Sequence, residues 1–394
     1  MAEPKKIALC LEYPLALRGG VSVLVETLLA GLSTQYTLVL VSPDKPADVA
    51  RQPISSHIPW DPAAVSPRTS RALAQELARQ GVQLAHFHMG GNFGWGNRFP
   101  GHCPIPYTRR LGIHACSTVH LVVSPLDGFC GPQKPLWFKL AMFPLAWTGK
   151  MHALANVRCE IAVSRHDTDK LRRWYRPLGG KILQMYHSRL RKESLSATGP
   201  VVREPFILNV GHIAWRKGQL VLAEAFAQVA PRHPEWKLMM PGGVAEPAIA
   251  DQIRAIAKAH SLEERILLPG ERADAMQLMK QAAIYVQPSY FEALGLALQE
   301  AMFLGCPAIG SRVGGIPELI EHGKTGLLVE PGQTAELAQA LETLMSDPAL
   351  RDKLGRQGAA SIIEKGMTAV QMVANHIQLY DSIFAGKAPP AFEH

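Results

Sequence analysis

The chain is predicted to be an α/β protein built from two doubly wound, Rossmann-like parallel sheets. In its second half, short apolar or β-branched runs end in Gly, Pro or Ser, and each is followed by helical periodicity. The first half repeats that alternation less regularly. The length of 394 residues gives room for two ordinary domains, each with its own core. A hydrophobic fraction of 47% and a charged fraction of 19% belong to a globular chain, not a disordered or fibrous one.

Taken in order, the first half offers strands at 6–12, 36–42, 82–88, 116–122 and 159–164. Helices fit at about 20–33, 66–80, 136–155 and 165–175. Residues 89–112 are rich in Gly, Pro and aromatics and read as a long loop over the sheet, a common place for function. The polar stretch 188–204 is the expected linker. Beyond it, strands fit at 205–213, 236–241, 265–269, 284–289, 307–311 and 326–330. Helices fill the gaps at 218–230, 247–260, 273–283, 294–304, 316–322 and 334–346, and a last helical pattern covers 367–384. The expected division is a first domain at 1–195, a second at 196–366 and a final helical segment at 367–394. Ligands on doubly wound sheets sit beyond the C-terminal ends of the strands, so the expected site is a cleft onto which both sheets open.

No run approaches the roughly 18–20 apolar residues of a membrane span. At the start, only Ile7 to Leu11 is apolar, which is too short for a signal-peptide core and suits a first strand. Cys10, Cys103, Cys116, Cys130, Cys159 and Cys306 contain no CxxC pair and are expected as reduced thiols. The expected location is therefore the cytoplasm. Residues 1–200 hold 24 Lys and Arg against 12 Asp and Glu, a net +12, whereas residues 201–394 hold 17 against 21, a net −4. A basic first half fits an anionic partner or a solvated basic face. The stretches 135–151 and 170–181 mix basic and aromatic residues and are compatible with peripheral contact on an anionic inner membrane face. Core and solvated helices explain them equally, and no nucleic-acid module accompanies them.

The candidate chemistry lies at the strand ends of the second half. NVGHIAWRKGQL puts His212, Arg216 and Lys217 just past a strand, where cations and a helix N-terminus together suit a phosphate. Gly pairs at 242–243 and 314–315 allow close backbone approach. In FEALGLALQEAM, Glu292 and Glu300 flank Gly295 within an apolar stretch, and a buried unpaired carboxylate is costly. A helix opened by Gly295 and running through Glu300 would set the acids roughly 12 Å apart at 1.5 Å per residue. That spacing suits a nucleotide sugar, with a carboxylate on the hydroxyls of each ring and the diphosphate between.

The run from Glu292 to Glu300, continued by AMFLGCPAIGSRVGGIPELIEHGKTGLLVEPG, resembles the E-x7-E segment of retaining glycosyltransferases of family 4. NVG…KG upstream and Gly19–Gly20 in LALRGGVSVLVETLLAGL match that family's layout. The resemblance implies a GT-B fold, two Rossmann-like domains facing across a cleft, with the last helix crossing back to the first domain. It implies a retaining, metal-independent hexosyltransferase with no resident cofactor. The co-substrate would be a UDP- or GDP-sugar and the acceptor a glycan or lipid-linked hydroxyl, as in cell-envelope polysaccharide or glycolipid synthesis. It assigns Glu300 to the ribose, Glu292 to the donor sugar, and the backbone of Leu294, Gly295 and Leu296 to the sugar and phosphates. Lys217 takes the phosphate position, Gly19 and Gly20 the loop near the diphosphate, and His120 the strand-end histidine beside the reacting sugar. His86 and His88, at the preceding strand end, are expected on the acceptor side.

Two positions depart from the pattern. His212 stands where the family carries Arg, and Leu121 where it often carries Asp; Arg216 is positioned to supply the missing cation. A nucleotide-sugar epimerase of GT-B fold, or a sugar-nucleotide-binding protein of weak activity, would share the same motifs. Asp167-Thr168-Asp169 is a DxD, but Ser164 three residues before Asp167 makes it a helix cap. The Cys/His scatter at 102–130 lacks the close ligand pairs of a zinc site, so no metal is expected.

Overall fold

The computed structural model describes residues 4–17, 19–126, 134–191 and 203–392. The chain divides into two compact units, Met1–Arg189 with Ala369–His394, and Leu190–Thr368. Of the linker expected at 188–204, residues 192–202 lie outside the described residues, as does Cys130.

The first unit holds β1 (Lys6–Leu11), β2 (Thr37–Ser42), β3 (Ser56–Pro59), β4 (Leu84–Met89), β5 (His114–Val119), β6 (Glu160–Ala162) and β7 (Ile182–Gln184). They form one sheet in the order β3-β2-β1-β4-β5-β6-β7. Leu9 of β1 lies between Leu40 of β2 and His86 of β4, both parallel neighbours. Continuous apolar runs such as IALCL and LVLV are what strands covered on both faces require. The edge strands β3 and β7 were not foreseen, because SHIP and ILQ are short and only partly buried. The stretch 89–112 is not one long loop. It contains a helix, Ile105–Arg110, started by a proline in its first turn.

The last helix, Ala369–Phe384, packs within this first unit. It lies so close to helix Gly20–Leu32 that a Cβ on Gly31 would fall 2.5 Å from a Val373 methyl carbon. The Tyr36 hydroxyl donates to Asp381 at 2.8 Å, and the Tyr380 hydroxyl lies 2.6 Å from His86 Nδ1. Expected helices at 136–155 and 165–175 are present as Leu136–Asn156 and Arg165–Trp174. Ser164 Oγ accepts from the Asp167 backbone N–H at 3.1 Å, so Ser164 caps the helix and the DxD lies inside it.

The second unit holds β8 (Glu204–Leu208), β9 (Lys237–Met239), β10 (Ile266–Leu267), β11 (Ala282–Gln287), β12 (Ala308–Ser311) and β13 (Leu327–Val329). These too form one parallel sheet, in the order β10-β9-β8-β11-β12-β13. Its core is filled from helices Gln219–Val229 and Thr334–Ser346 by Leu222, Phe226, Leu341 and Leu344. Helix Pro348–Glu364 was not foreseen. Its buried stripe is Leu354, Gly355, Gly358 and Ile362, and the two glycines hide the apolar period.

Each sheet reverses its order once, at β1/β4 in the first unit and β8/β11 in the second. The crevice beyond such a switch point is where doubly wound sheets bind ligands.

Candidate functional site

In the second unit, β8 ends at Leu208 and β11 at Gln287. Asn209 Nδ2 donates to the Val286 carbonyl at 2.7 Å and ties the two strand ends together. From β8 the chain passes exposed His212 and makes a tight turn at Trp215–Lys217 before helix Gln219–Val229. Gly218 closes that turn with φ 70°, and a Cβ there would lie 2.0 Å from the Pro288 carbonyl oxygen. The turn and the loop after β11 are thereby pressed together. The Arg216 carbonyl accepts from the Tyr290 N–H at 2.9 Å, and the Trp215 and Tyr290 rings stack at 5.0 Å.

This close approach joins the two motifs. Lys217 Nζ lies 2.7 Å from Glu292 Oε2, with both side chains largely shielded from solvent. Gln287 Nε2 donates to the same carboxylate oxygen at 3.3 Å and the Ser289 hydroxyl at 3.4 Å. Behind them the buried Tyr285 hydroxyl donates to Gln287 Oε1 at 3.0 Å. On the far side, Gly314 has φ 54° and passes so close that a Cβ would lie 1.6 Å from the Glu292 carbonyl oxygen. Glu292 is thus an ion-paired carboxylate on a loop clamped from two sides.

Gly295 caps helix Leu296–Phe303 in the left-handed region, φ 95°. Glu300 lies on that helix and is 4% exposed. Glu292 does not share the helix, so the 12 Å separation taken from helical rise is corrected: helical spacing applies only from Leu296. Leu294 is buried beside the cap, and Leu296 is half-buried. Arg216 is half-buried and His212 is exposed.

In the first unit the switch point shows a carboxylate that sequence reading missed. Glu12 follows β1, and its oxygens accept from the Gly90 N–H at 3.2 Å and from the Trp95 N–H. Burial raises its pKa above the usual carboxylate range, against those N–H donors and nearby Arg98. It lines a pocket of about 330 Å³ with Tyr13, Asn92, Phe93, Arg98 and His102. An acid directly after the first strand was the available signal. Gly19 precedes helix Gly20–Leu32 at an ordinary φ of −73°, and a Cβ there would meet nothing within 4 Å. Packing therefore gives no reason for glycine at position 19.

His86 and His88 do not line a surface, which corrects the expectation for them. They point into the unit from β4 and are 0% and 1% exposed. With His120, His187 and His376 they form a ring of five imidazoles. Successive centroids, from His86 through His88, His120, His187 and His376 back to His86, lie 4.3, 5.4, 5.4, 5.6 and 5.6 Å apart. His88 Nδ1 is 3.1 Å from His120 Nε2, and His86 Nε2 is 2.8 Å from the Thr118 hydroxyl. Burial is the main cause that lowers every one of these pKa values, to about 3 for His120 and about 4 for His376. Only His120 keeps partial exposure. His187 and His376 escaped sequence reading because they are brought in from distant segments. Among the described residues, no group of three or more His, Cys, Asp or Glu is placed to hold a metal ion. The five described cysteines are free and buried.

Residues 191–361 match the family described as glycosyl transferases group 1. That segment makes up 171 of the 394 residues. It contains the whole Lys217–Glu292 network and Glu300. The chain is 24% identical over 269 residues to the alpha-D-kanosaminyltransferase of Streptomyces kanamyceticus, covering 65% of this chain and 67% of that protein. It is 30% identical over 162 residues to the N-acetyl-alpha-D-glucosaminyl L-malate synthase of Bacillus anthracis, covering 41% of this chain and 42% of that one. It is also 30% identical over 216 residues to a D-inositol 3-phosphate glycosyltransferase of Arthrobacter, covering 54% and 51%. The chain thus spans about half the length of the second and third of these relatives.

Among solved structures, a glycosyltransferase from Rickettsia africae superposes over 96% of this chain and 99% of its own, with TM-score 0.77 and 19% identity. Anabaena HepE in complex with UDP and glucose superposes over 96% of this chain and all of its own, with TM-score 0.71 and 17% identity. The two parallel-sheet α/β domains are therefore those of the GT-B glycosyltransferase fold.

Proposed function

We propose that this protein is a retaining glycosyltransferase that moves a sugar from a nucleoside diphosphate sugar to a hydroxyl of a glycan or lipid-linked acceptor. The observation that carries the reading is the Lys217–Glu292 pair, held at the β8/β11 switch point inside the segment that matches glycosyl transferases group 1. An ammonium and a carboxylate side by side are complementary to a phosphate next to a sugar. On donor binding, Lys217 and Arg216 take the diphosphate, and Glu292 turns to the sugar hydroxyls as an acceptor of hydrogen bonds. The Gly295-capped start of helix Leu296–Phe303 presents backbone N–H groups to the phosphates, and Glu300 accepts from the ribose hydroxyls.

The chemistry needs the negative charge that develops on the departing diphosphate to be stabilised, and preorganised cations and N–H groups supply that. The departing phosphate oxygen takes the acceptor's proton on the same face, so the anomeric configuration is kept. No resident metal is required, because Lys217 and Arg216 carry the compensating charge. His120 is assigned to the transferred sugar, with Gly19 and Gly20 near the diphosphate. The pocket beside Glu12 is assigned to the acceptor. A UDP-sugar is the first donor to test, since HepE was solved with UDP-glucose.

The test is incubation with UDP- and GDP-sugars, with and without a cell-envelope lipid or glycan extract. Acceptor-dependent nucleotide release, with an axial or equatorial product bond matching the donor, supports the reading. A changed sugar with no nucleotide released would replace it with an epimerase, and binding without either product with a sugar-nucleotide-binding protein.

A further inference from the structure

Among the described residues, helix Leu136–Asn156 is fastened along one side. Its buried residues are Ala146, Gly149, Lys150, Ala153 and Leu154, all in its second half. Lys150 Nζ lies 2.6 Å from Glu160 Oε2 in a fully buried pair, and Trp147 Nε1 donates to the Trp174 carbonyl at 3.2 Å. A Cβ on Gly149 would fall 2.4 Å from the Asn97 carbonyl oxygen, so this end cannot roll. With that face fixed, the first turns turn their opposite face to solvent.

That face is apolar. Leu136 is 63% exposed, Trp137 70%, Leu140 55% and Leu145 37%, with exposed Ala141 and Pro144 between them. At about 100° per residue these six positions fall within one arc of roughly 180°. Single exposed hydrophobics are ordinary, but a contiguous patch marks an interaction surface. From residue 128 to residue 159 the sequence has no Asp or Glu. Lys134 stands just before the helix, its ammonium 6.0 Å from the Phe138 ring centre. Exposed Arg173 and Arg176 flank Trp174, the residue to which Trp147 is bonded, with Asp169 the exposed acid on that neighbouring helix.

We propose that the exposed face of helix Leu136–Asn156, with Lys134, Arg173 and Arg176 beside it, docks on an anionic lipid surface. Leu136, Trp137, Leu140 and Leu145 enter the boundary between headgroups and acyl chains, and the basic side chains meet the lipid phosphates. The helix lies in the interface; no helix among the described residues is long and apolar enough to cross a membrane. A second copy of the chain is the poorer occupant. A two-fold contact would set the same basic face against itself, with no acid between residues 128 and 159 to complement it. The inference does not rest on the glycosyltransferase reading, because docking is measured without donor or acceptor.

The experiment sediments the full-length protein with vesicles of phosphatidylcholine alone or with about one third phosphatidylglycerol. Association with the anionic vesicles is expected to exceed that with neutral ones several-fold and to weaken in high salt. The double variant Trp137→Glu/Leu140→Glu should lose about tenfold or more of the partitioning. Arg173→Glu/Arg176→Glu should lose several-fold, and both should keep the wild-type melting temperature because the altered side chains are exposed. Light scattering at the same concentration should give a single-chain mass. Absence of vesicle association, equal association by the Trp137→Glu/Leu140→Glu variant, or a dimer that this variant dissolves would each overturn the proposal.

Discussion

Lys217 and Glu292, 75 positions apart in sequence, form a 2.7 Å ion pair in which each partner is more than four-fifths shielded from water. The pair answers the energetic problem of an acid in an apolar stretch, because its charge is compensated and hydrogen-bonded. Removing one partner should therefore reach both stability and function. Lys217→Ala is expected to cost about 1–3 kcal/mol in urea unfolding, since it leaves a shielded carboxylate without its cation. It should also raise the donor KM. Glu292→Gln keeps hydrogen-bonding capacity near Gln287 and Ser289, so it should lower kcat more than it raises KM. Steady-state nucleotide release measures both, and unchanged kinetics in both variants would remove the pair from the site.

Glu300→Ala should separate binding from turnover in the other direction. If the buried carboxylate receives the ribose hydroxyls, UDP or GDP should no longer raise the melting temperature of the variant as it does the wild type. A full nucleotide-induced shift in Glu300→Ala would show that the ribose lies elsewhere.

Two glycines make a paired test. At Gly314 a Cβ would lie 1.6 Å from the Glu292 carbonyl oxygen, and φ is 54°. Gly314→Ala must push the glutamate loop away, so a loss of about 3 kcal/mol or more and loss of turnover are expected together. At Gly19 a Cβ meets nothing, and φ is −73°. Gly19→Ala should leave stability within about 0.5 kcal/mol of wild type while lowering turnover, as suits a glycine kept for ligand approach. Denaturant unfolding and initial rates read the contrast.

The five-imidazole ring gives the first unit an acid sensitivity. His86, His88, His120, His187 and His376 all have lowered pKa values in the fold. An unfolded histidine titrates near pH 6.5, so below that pH the unfolded chain binds protons that the folded ring does not. Stability is then fully present above about pH 6.5 and falls as pH drops, until the folded groups titrate, about pH 4 for His376 and about pH 3 for His120. Each such histidine steepens the fall by up to about 1.4 kcal/mol per pH unit. Urea midpoints between pH 7.5 and 5 should show it, and His376→Gln should flatten the slope. A flat profile in the wild-type protein would mean that the ring is already open to water.

The alternation of apolar runs and helical periods made both sheets legible, because central strands covered on both faces must be apolar throughout. β3, β7 and helix Pro348–Glu364 were not legible, because edge strands need little burial and glycines blurred the buried stripe of the helix. At the site, local motifs pointed to Lys217, Glu292, Gly295 and Glu300 one by one, and to Gly295 as the opening of a helix. They did not say that Lys217 and Glu292 touch, nor that Glu292 stands on a clamped loop outside the helix.

What the sequence determined by itself was the class of fold, the strand ends that carry polar punctuation, and the residue types available there. Those follow from period and composition, which act over a few neighbouring positions. Tertiary structure alone decided which distant side chains share a charge, an imidazole ring or an open face. Lys217 meets Glu292 because Gly218 and Gly314 let backbones approach. His376 reaches His86 because the last helix packs back at Gly31. Trp137 faces water because Lys150 and Gly149 fix the opposite side of its helix. Each depends on close packing between segments far apart in the chain, and no local pattern encodes that distance.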